Sequence, residues 1–180
     1  MKKSVLLTLF PALIIGALTL IAGTNPVPPA PAPLKKAKSP WKYQVTGTVV
    51  GVHDGDTITV LPSKPGAEQL KVRLAGIDAP EANQAFGQAA KQRLSELVYK
   101  ETVAVLVITH DRYGRAVGVV YMPAVGGMNV NEEQLRGGFA WHYTAYPTPL
   151  VDPRHEEAAR ATKAGLWVDS NPTPPWQFRK

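Results

Sequence analysis

Two runs rich in β-branched and apolar residues, Val45–Val52 and Thr57–Leu61, flank a short polar break at Asp54-Gly55-Asp56. β-Branched side chains are stiff at χ1 and suit a pleated strand, and an Asp-Gly pair between two such runs is a strong short-range signal for an antiparallel hairpin. The first constraint on the fold is therefore a sheet that begins early and carries aspartates at one end. By itself Asp54-Gly55 is an ordinary hairpin turn; what it does depends on which side chains arrive beside it.

The rest of the pattern extends that sheet. Gln69–Ile77 reads as a third strand after a Pro62–Gly66 loop, and Ala85–Tyr99 as an amphipathic helix with Ala89, Ala90, Leu94, Leu97 and Val98 near a 3.6-residue period. Thr102–Thr109 and Ala116–Met122 are two more β-branched runs, joined by a turn that contains Asp111 and Gly114. Asn131–Arg136 and Pro153–Ala164 read as helices, the second stopped by Gly165. Five strands with a helix after the third predict an α+β, mainly β fold: a five-stranded OB-fold barrel with about three helices. Trp141 and Trp167 read as core, and Glu156 and Glu157 as a solvated helix face.

The ends are different in kind. Met-Lys-Lys followed by apolar Val5–Ala22 predicts a signal peptide or a retained N-terminal anchor over residues 1–24. Thr24 stands where a lipidated cysteine would be, and the chain has no cysteine, which rules out lipidation and disulfides. Residues 25–40 are a proline-rich linker, because proline removes backbone donors and fixes φ. A domain over 41–170 and a proline-rich tail over 171–180 complete the order, the tail packing through Trp176 and Phe178. The net charge of +6 arises in the leader and linker: residues 1–40 carry five lysines and no acid, so 41–180 balance 15 basic against 14 acidic side chains. Overall charge gives no argument for nucleic-acid binding, and any grip on phosphate has to be local.

Two segments supply such local chemistry, Arg73-Leu-Ala-Gly-Ile-Asp78-Ala-Pro-Glu81 and Asp111-Arg-Tyr-Gly-Arg115. Between them they offer arginines that can hold a phosphate through parallel hydrogen bonds, and carboxylates able to bind a metal or take a proton. The plainer reading of Asp78-Ala-Pro-Glu81 is a helix start with Asp78 as its cap, and Arg115 alone fits a surface strand. The histidines His53, His110, His142 and His155 have no zinc spacing, and His110 lacks the partners of a histidine–metal nuclease.

These motifs, with Asp54-Gly-Asp-Thr57, Asn131–Ala140 and Gly165-Leu-Trp167, resemble the signature segments of the staphylococcal nuclease (thermonuclease) family, over about Val45 to Trp167. The Pro-Pro-Trp tail is similar to one in bacterial members. The resemblance implies that Arg73, Glu81 and Arg115 are catalytic. It also implies that Asp56 and Asp78 bind Ca2+ with the backbone carbonyl of Ala79, and that Asp54 orients water in the outer shell. Hard carboxylate oxygens on loops suit calcium. The family has threonine where this chain has Ala79, which keeps a main-chain ligand and loses a hydroxyl.

Further implications concern substrate and setting. Arg112 and Tyr113 would meet phosphates, and Tyr143 or Tyr146 would stack on a base. The resemblance points to a calcium-dependent endonuclease of single- and double-stranded DNA and RNA, cutting the 5′ oxygen–phosphorus bond to leave 3′-phosphate ends. It would be a monomer located outside the cytoplasm, touching membrane only through an uncleaved N-terminal segment. The alternatives are a non-catalytic nucleic-acid-binding module of the same fold, which would lack the charged set present here, and a cell-envelope structural protein on a proline stalk. The Pro62–Gly66 loop is longer than the family pattern and could disturb the site.

Overall fold

A computed structural model describes residues 39–180; the leader and most of the linker lie outside the described residues. The twelve-residue β1 (Tyr43–Asp54) organises the barrel. Its first half pairs with β5 (Thr102–His110), from Tyr43 opposite Val107 to Thr48 opposite Thr102. Its second half pairs with β2 (Thr57–Pro62), with register shifts after Val49 and Val52. Bulges of this kind bend a strand, which lets one long β1 serve two sides of a closed sheet.

β3 (Leu70–Leu74) follows β2 antiparallel, β6 (Ala116–Met122) follows β5, and the barrel closes where β3 and β6 run parallel with Arg73 beside Val117. The strand order β3-β2-β1-β5-β6 and this closure make the five-stranded barrel that the pattern predicts, with a two-residue β7 (Met128–Asn129) added beside β6. Val49, Ile58, Val60, Val72, Val103, Val105, Val107 and Val119 fill it and are fully buried. Each such side chain contributes about 1.5–3 kcal/mol by leaving water.

Helix α1 (Gly87–Val98) lays Ala90, Leu94 and Val98 against one end, and α2 (Val130–Arg136) closes it further. α3 (Arg154–Ala161) and a four-residue α4 (Pro175–Phe178) bring the helices among the described residues to four, against about three expected. Trp141 and Trp167, as expected, are buried, forming a second cluster with Ala159 and Leu166 against which Trp176 packs.

Three expectations are corrected. The third strand does not run to Ile77: it breaks at Ala75-Gly76, where Gly76 takes φ +72, and resumes as β4 (Ile77–Asp78), which pairs with β8 (Trp141–His142) instead of the barrel. Glu156 is not a solvated side chain, because its carboxylate accepts the backbone N–H of His142 and pairs with Arg160. Phe178 does not anchor the tail; it is 41% exposed, and buried Pro175 with half-buried Trp176 does that work. The Pro62–Gly66 loop lies at the opposite end of β2 from the Asp54–Asp56 turn, so its length does not touch the site.

Candidate active site

The Asp54–Asp56 turn, the end of β3 and the start of the chain after β4 meet at one mouth of the barrel. The register sets Thr57 opposite Arg73, and the backbone N–H of Leu74 donates to the Asp56 carbonyl (2.8 Å). Gly55 allows the approach, since a Cβ there would lie 2.6 Å from the Ala79 Cβ and 2.7 Å from that of Ala90. Asp54 accepts from the Asp56 N–H at 3.0 Å and so shapes the turn, while Asp56 accepts from the Ala79 N–H at 2.7 Å. The two aspartate-bearing segments are stitched together through the carboxylate of Asp56.

Arg73 is the hub. One terminal nitrogen is ion-paired with Asp56, and the other donates to Asp78 at 2.7 Å. Asp78 is fully buried and Asp56 nearly so. Burial works against the charged arginine, but Asp56, Asp78 and Asp54 outweigh it and hold its pKa above the ordinary value. Burial pushes Asp56 up from 3.8 to about 7 even though Arg73 pulls it down, and Asp54 adds to the rise. Desolvation, more than crowding by Asp54, is what raises the Asp56 carboxyl, and the attraction of Arg73 offsets it only in part.

Asp78 is not a helix cap. Helix α1 starts nine residues later, at Gly87, after Phe86 in a left-handed conformation. The intervening loop carries Glu81, half-buried, whose N–H donates to the Gln84 side chain (3.1 Å). Gly87 is required there, because a Cβ would sit 1.8 Å from the Glu81 carbonyl.

Arg115 sits at the other lip. Val117 is the neighbour of Arg73 in the parallel pairing, so Arg115, two residues earlier, shares its side of the barrel wall. Its Nε donates to Asp111 at 2.7 Å, and its backbone N–H donates to the same carboxylate. Desolvation pushes the Asp111 carboxyl up, but the bonds from Arg115 and from the Tyr113 N–H together outweigh it and hold it below the usual range. Arg115 thus faces Asp111 and makes no direct contact with Glu81, Asp56 or Asp78.

The aromatic candidates divide. Tyr113, on the same loop, is exposed and takes a hydrogen bond from Arg112 at 2.6 Å, with the Arg112 guanidinium 4.8 Å from its ring. Tyr143 follows β8 directly, which places it past the pair Asp78–Trp141, and its ring lies 5.7 Å from both Tyr146 and Trp176. Tyr146 is 74% exposed.

Residues 71–169, a span that takes in Arg73, Asp78, Glu81 and Arg115 and begins after the Asp54–Asp56 turn, match the family model described as staphylococcal nuclease homologue. The chain belongs to the staphylococcal nuclease family. It is 44% identical over 135 residues to an uncharacterized endonuclease of Escherichia coli O157:H7, covering 75% of this chain and 85% of that protein. It is also 44% identical to a micrococcal nuclease of Shigella flexneri, over 74% of this chain and 80% of that one. A staphylococcal-like nuclease of Arabidopsis thaliana is 42% identical over 63% of this chain, which corresponds to 34% of the larger plant protein. The barrel with its charged mouth is accordingly that of a nuclease-type hydrolase.

Two parts of this nuclease's mouth went unread in the sequence. Gln134, fully buried on α2, donates to the carbonyls of Gly55 (2.7 Å) and Ala90 (3.1 Å) and so pins the Asp54–Asp56 turn. Its signal was a polar residue on the inward side of a short helix. Arg179, the penultimate residue, donates to both oxygens of Asp78, at 3.2 and 2.6 Å, and to Glu81 at 2.6 Å. Nothing in the pattern of a proline-rich tail marks it.

The donor set bears on a metal. Among the described residues no three histidine, cysteine or carboxylate side chains form a ready cage. Asp56 and Asp78 offer buried carboxylate oxygens close to Asp54 and to the Ala79 main chain, and that donor chemistry fits a hard divalent cation completed by main chain and water.

Proposed function

We propose that this chain is a calcium-dependent endonuclease acting outside the cytoplasm, as a monomer, on single- and double-stranded DNA and RNA, and leaving 3′-phosphate ends. The observation that carries the reading is the joining of Asp56, Asp78 and Arg73 within hydrogen-bond range at one barrel mouth, with Glu81 on the loop immediately beyond. Names of relatives that are nucleases support the reaction class.

Asp56 and Asp78 would hold the calcium ion, with the Ala79 carbonyl and with Asp54 outside them orienting water. Bound there, the ion supplies positive charge for the extra negative charge of a five-coordinate phosphorus. Glu81, reachable from solvent, takes a proton from the attacking water. The water oxygen bonds to phosphorus as the bond to the 5′ oxygen breaks, and that oxygen leaves with a proton taken from solvent. Arg73 is held rigid by two aspartates. Arg115 spends its Nε on Asp111 and keeps its two terminal nitrogens for phosphoryl oxygens. Tyr113 and Arg112 lie beside Arg115 to meet a neighbouring phosphate, and Tyr143 or Tyr146 would receive a base.

Location rests on the leader, which lies outside the described residues; among the described ones no helix is long and apolar enough to cross a membrane. The test is cleavage of 5′-labelled DNA and RNA oligonucleotides with calcium or with a chelator, followed by phosphatase treatment. The expected result is calcium-dependent cutting whose labelled fragments shift on phosphatase treatment. Chelator-resistant cutting, or fragments ending in 3′-hydroxyl, contradicts the proposal.

A further inference from the structure

The tail is built onto the site. Trp176 packs edge-on against Trp141 (5.7 Å, 75°), and Gln84, which caps the Glu81 N–H, donates to the Thr173 carbonyl at 2.6 Å. The same loop therefore carries Glu81 and anchors the tail. A turn of helix follows, with the Arg179 N–H donating to the Pro175 carbonyl, and this turn directs the guanidinium at the mouth of the barrel.

What Arg179 takes there is specific. Its two terminal nitrogens engage both oxygens of Asp78, whose carboxylate is otherwise bonded, among the described residues, only to Arg73, and one of them also engages Glu81. Hydrogen bonds to Asp78, then to Glu81, hold its pKa above the ordinary arginine value against partial burial. Four carboxylates, Asp54, Asp56, Asp78 and Glu81, gather at this mouth against Arg73, and Arg179 provides the second positive charge. With Arg73, the fork takes three of the roughly four lone pairs of the Asp78 carboxylate, and a cation brought to the same oxygens meets the guanidinium's positive charge, so the two compete.

We propose that Arg179 is a displaceable counter-ion of the site, which competes with a divalent cation for Asp78 and at the same time holds Glu81. The proposal rests on the calcium reading given above. Cation binding then releases the guanidinium from Asp78 and frees Glu81 to act, so the tail couples availability of the base to occupancy of the aspartates. Because only the fraction of molecules with the arginine undocked binds the cation at full strength, apparent affinity falls by that fraction. Arg179 is 41% exposed at its side chain, so its release disturbs no core.

The test is isothermal titration of calcium chloride into the full chain, in detergent and without nucleic acid, comparing the unaltered protein with Arg179→Gln, Arg179→Lys and Trp176→Ala. Arg179→Gln is expected to bind calcium about tenfold more tightly, as for a docked fraction of about nine-tenths. Trp176→Ala, which loosens the anchor, shifts affinity the same way, and Arg179→Lys falls between the unaltered protein and Arg179→Gln, because an ammonium keeps the charge but cannot fork over both Asp78 oxygens and Glu81. Equal, measurable affinity in all four proteins, or weaker binding by Arg179→Gln, overturns the role of the tail and leaves the calcium reading standing. Absence of calcium binding in every protein overturns the calcium reading itself, and the tail proposal with it.

Discussion

Replacing Asp56 by Asn should stabilise the protein in a pH-dependent way. The carboxyl ionises near 3.8 when exposed and at about 7 in the folded chain, chiefly because of burial. Between those values the unfolded state has released the proton and the folded state still holds it, so this group makes stability fall as pH rises from about 4 to about 7. Below that window it contributes no slope, and above it the full penalty is present. At 1.36 kcal/mol per pH unit, the displacement amounts to on the order of 4 kcal/mol. Asn imitates the neutral acid and keeps an acceptor for the Ala79 N–H, and the attraction of Arg73 for the ionised form is already contained in the folded-state value of about 7. The variant should therefore exceed the unaltered protein by on the order of 4 kcal/mol at pH 8 and by little at pH 4. Urea unfolding with a chelator present, repeated across this pH range, measures the difference directly. A difference that is independent of pH, or a variant less stable at pH 8, would refute the argument that burial leaves Asp56 short of positive charge.

Arg73→Lys should lower kcat by about 10²-fold or more, because an ammonium cannot bridge Asp56 and Asp78 as a planar fork does; steady-state cleavage of a short DNA checks this, and near-normal turnover removes Arg73 from the mechanism. Gln134→Leu should destabilise the fold by about 2–4 kcal/mol in urea unfolding, since the carbonyls of Gly55 and Ala90 lose their buried donor. Lower activity should accompany that loss, through slackening of the Asp54–Asp56 turn.

The barrel was legible because its strands are written locally. β-Branched runs, the Asp54-Gly55 turn and the Asp111–Gly114 turn each specify their own hairpin, and closure then brings Arg73 to Val117 without further instruction. The aspartate cluster followed from the same register, as Thr57 opposite Arg73 shows. What escaped depends on contacts between distant segments. Gln134 reaches a carbonyl 79 positions away, and Arg179 reaches Asp78 across 101 positions, with no periodicity linking either pair. Asp78 resembled a helix cap because Asp-x-Pro is a local signature, yet the close packing of Gly87 under the Glu81 carbonyl delays the helix. Glu156 resembled a solvated residue because helical spacing says nothing of the β8 N–H that its carboxylate accepts.

The most direct test of a nuclease site at this mouth is Glu81→Gln, measured for both cleavage and binding. Gln keeps the size of the side chain and removes its ability to take a proton, so hydrolysis of a short oligonucleotide in calcium should fall by about 10²-fold or more while calcium-dependent binding of the same oligonucleotide persists. An unaltered protein that binds the oligonucleotide without cutting it, with Glu81→Gln indistinguishable from it, would contradict the account and leave a binding module in its place.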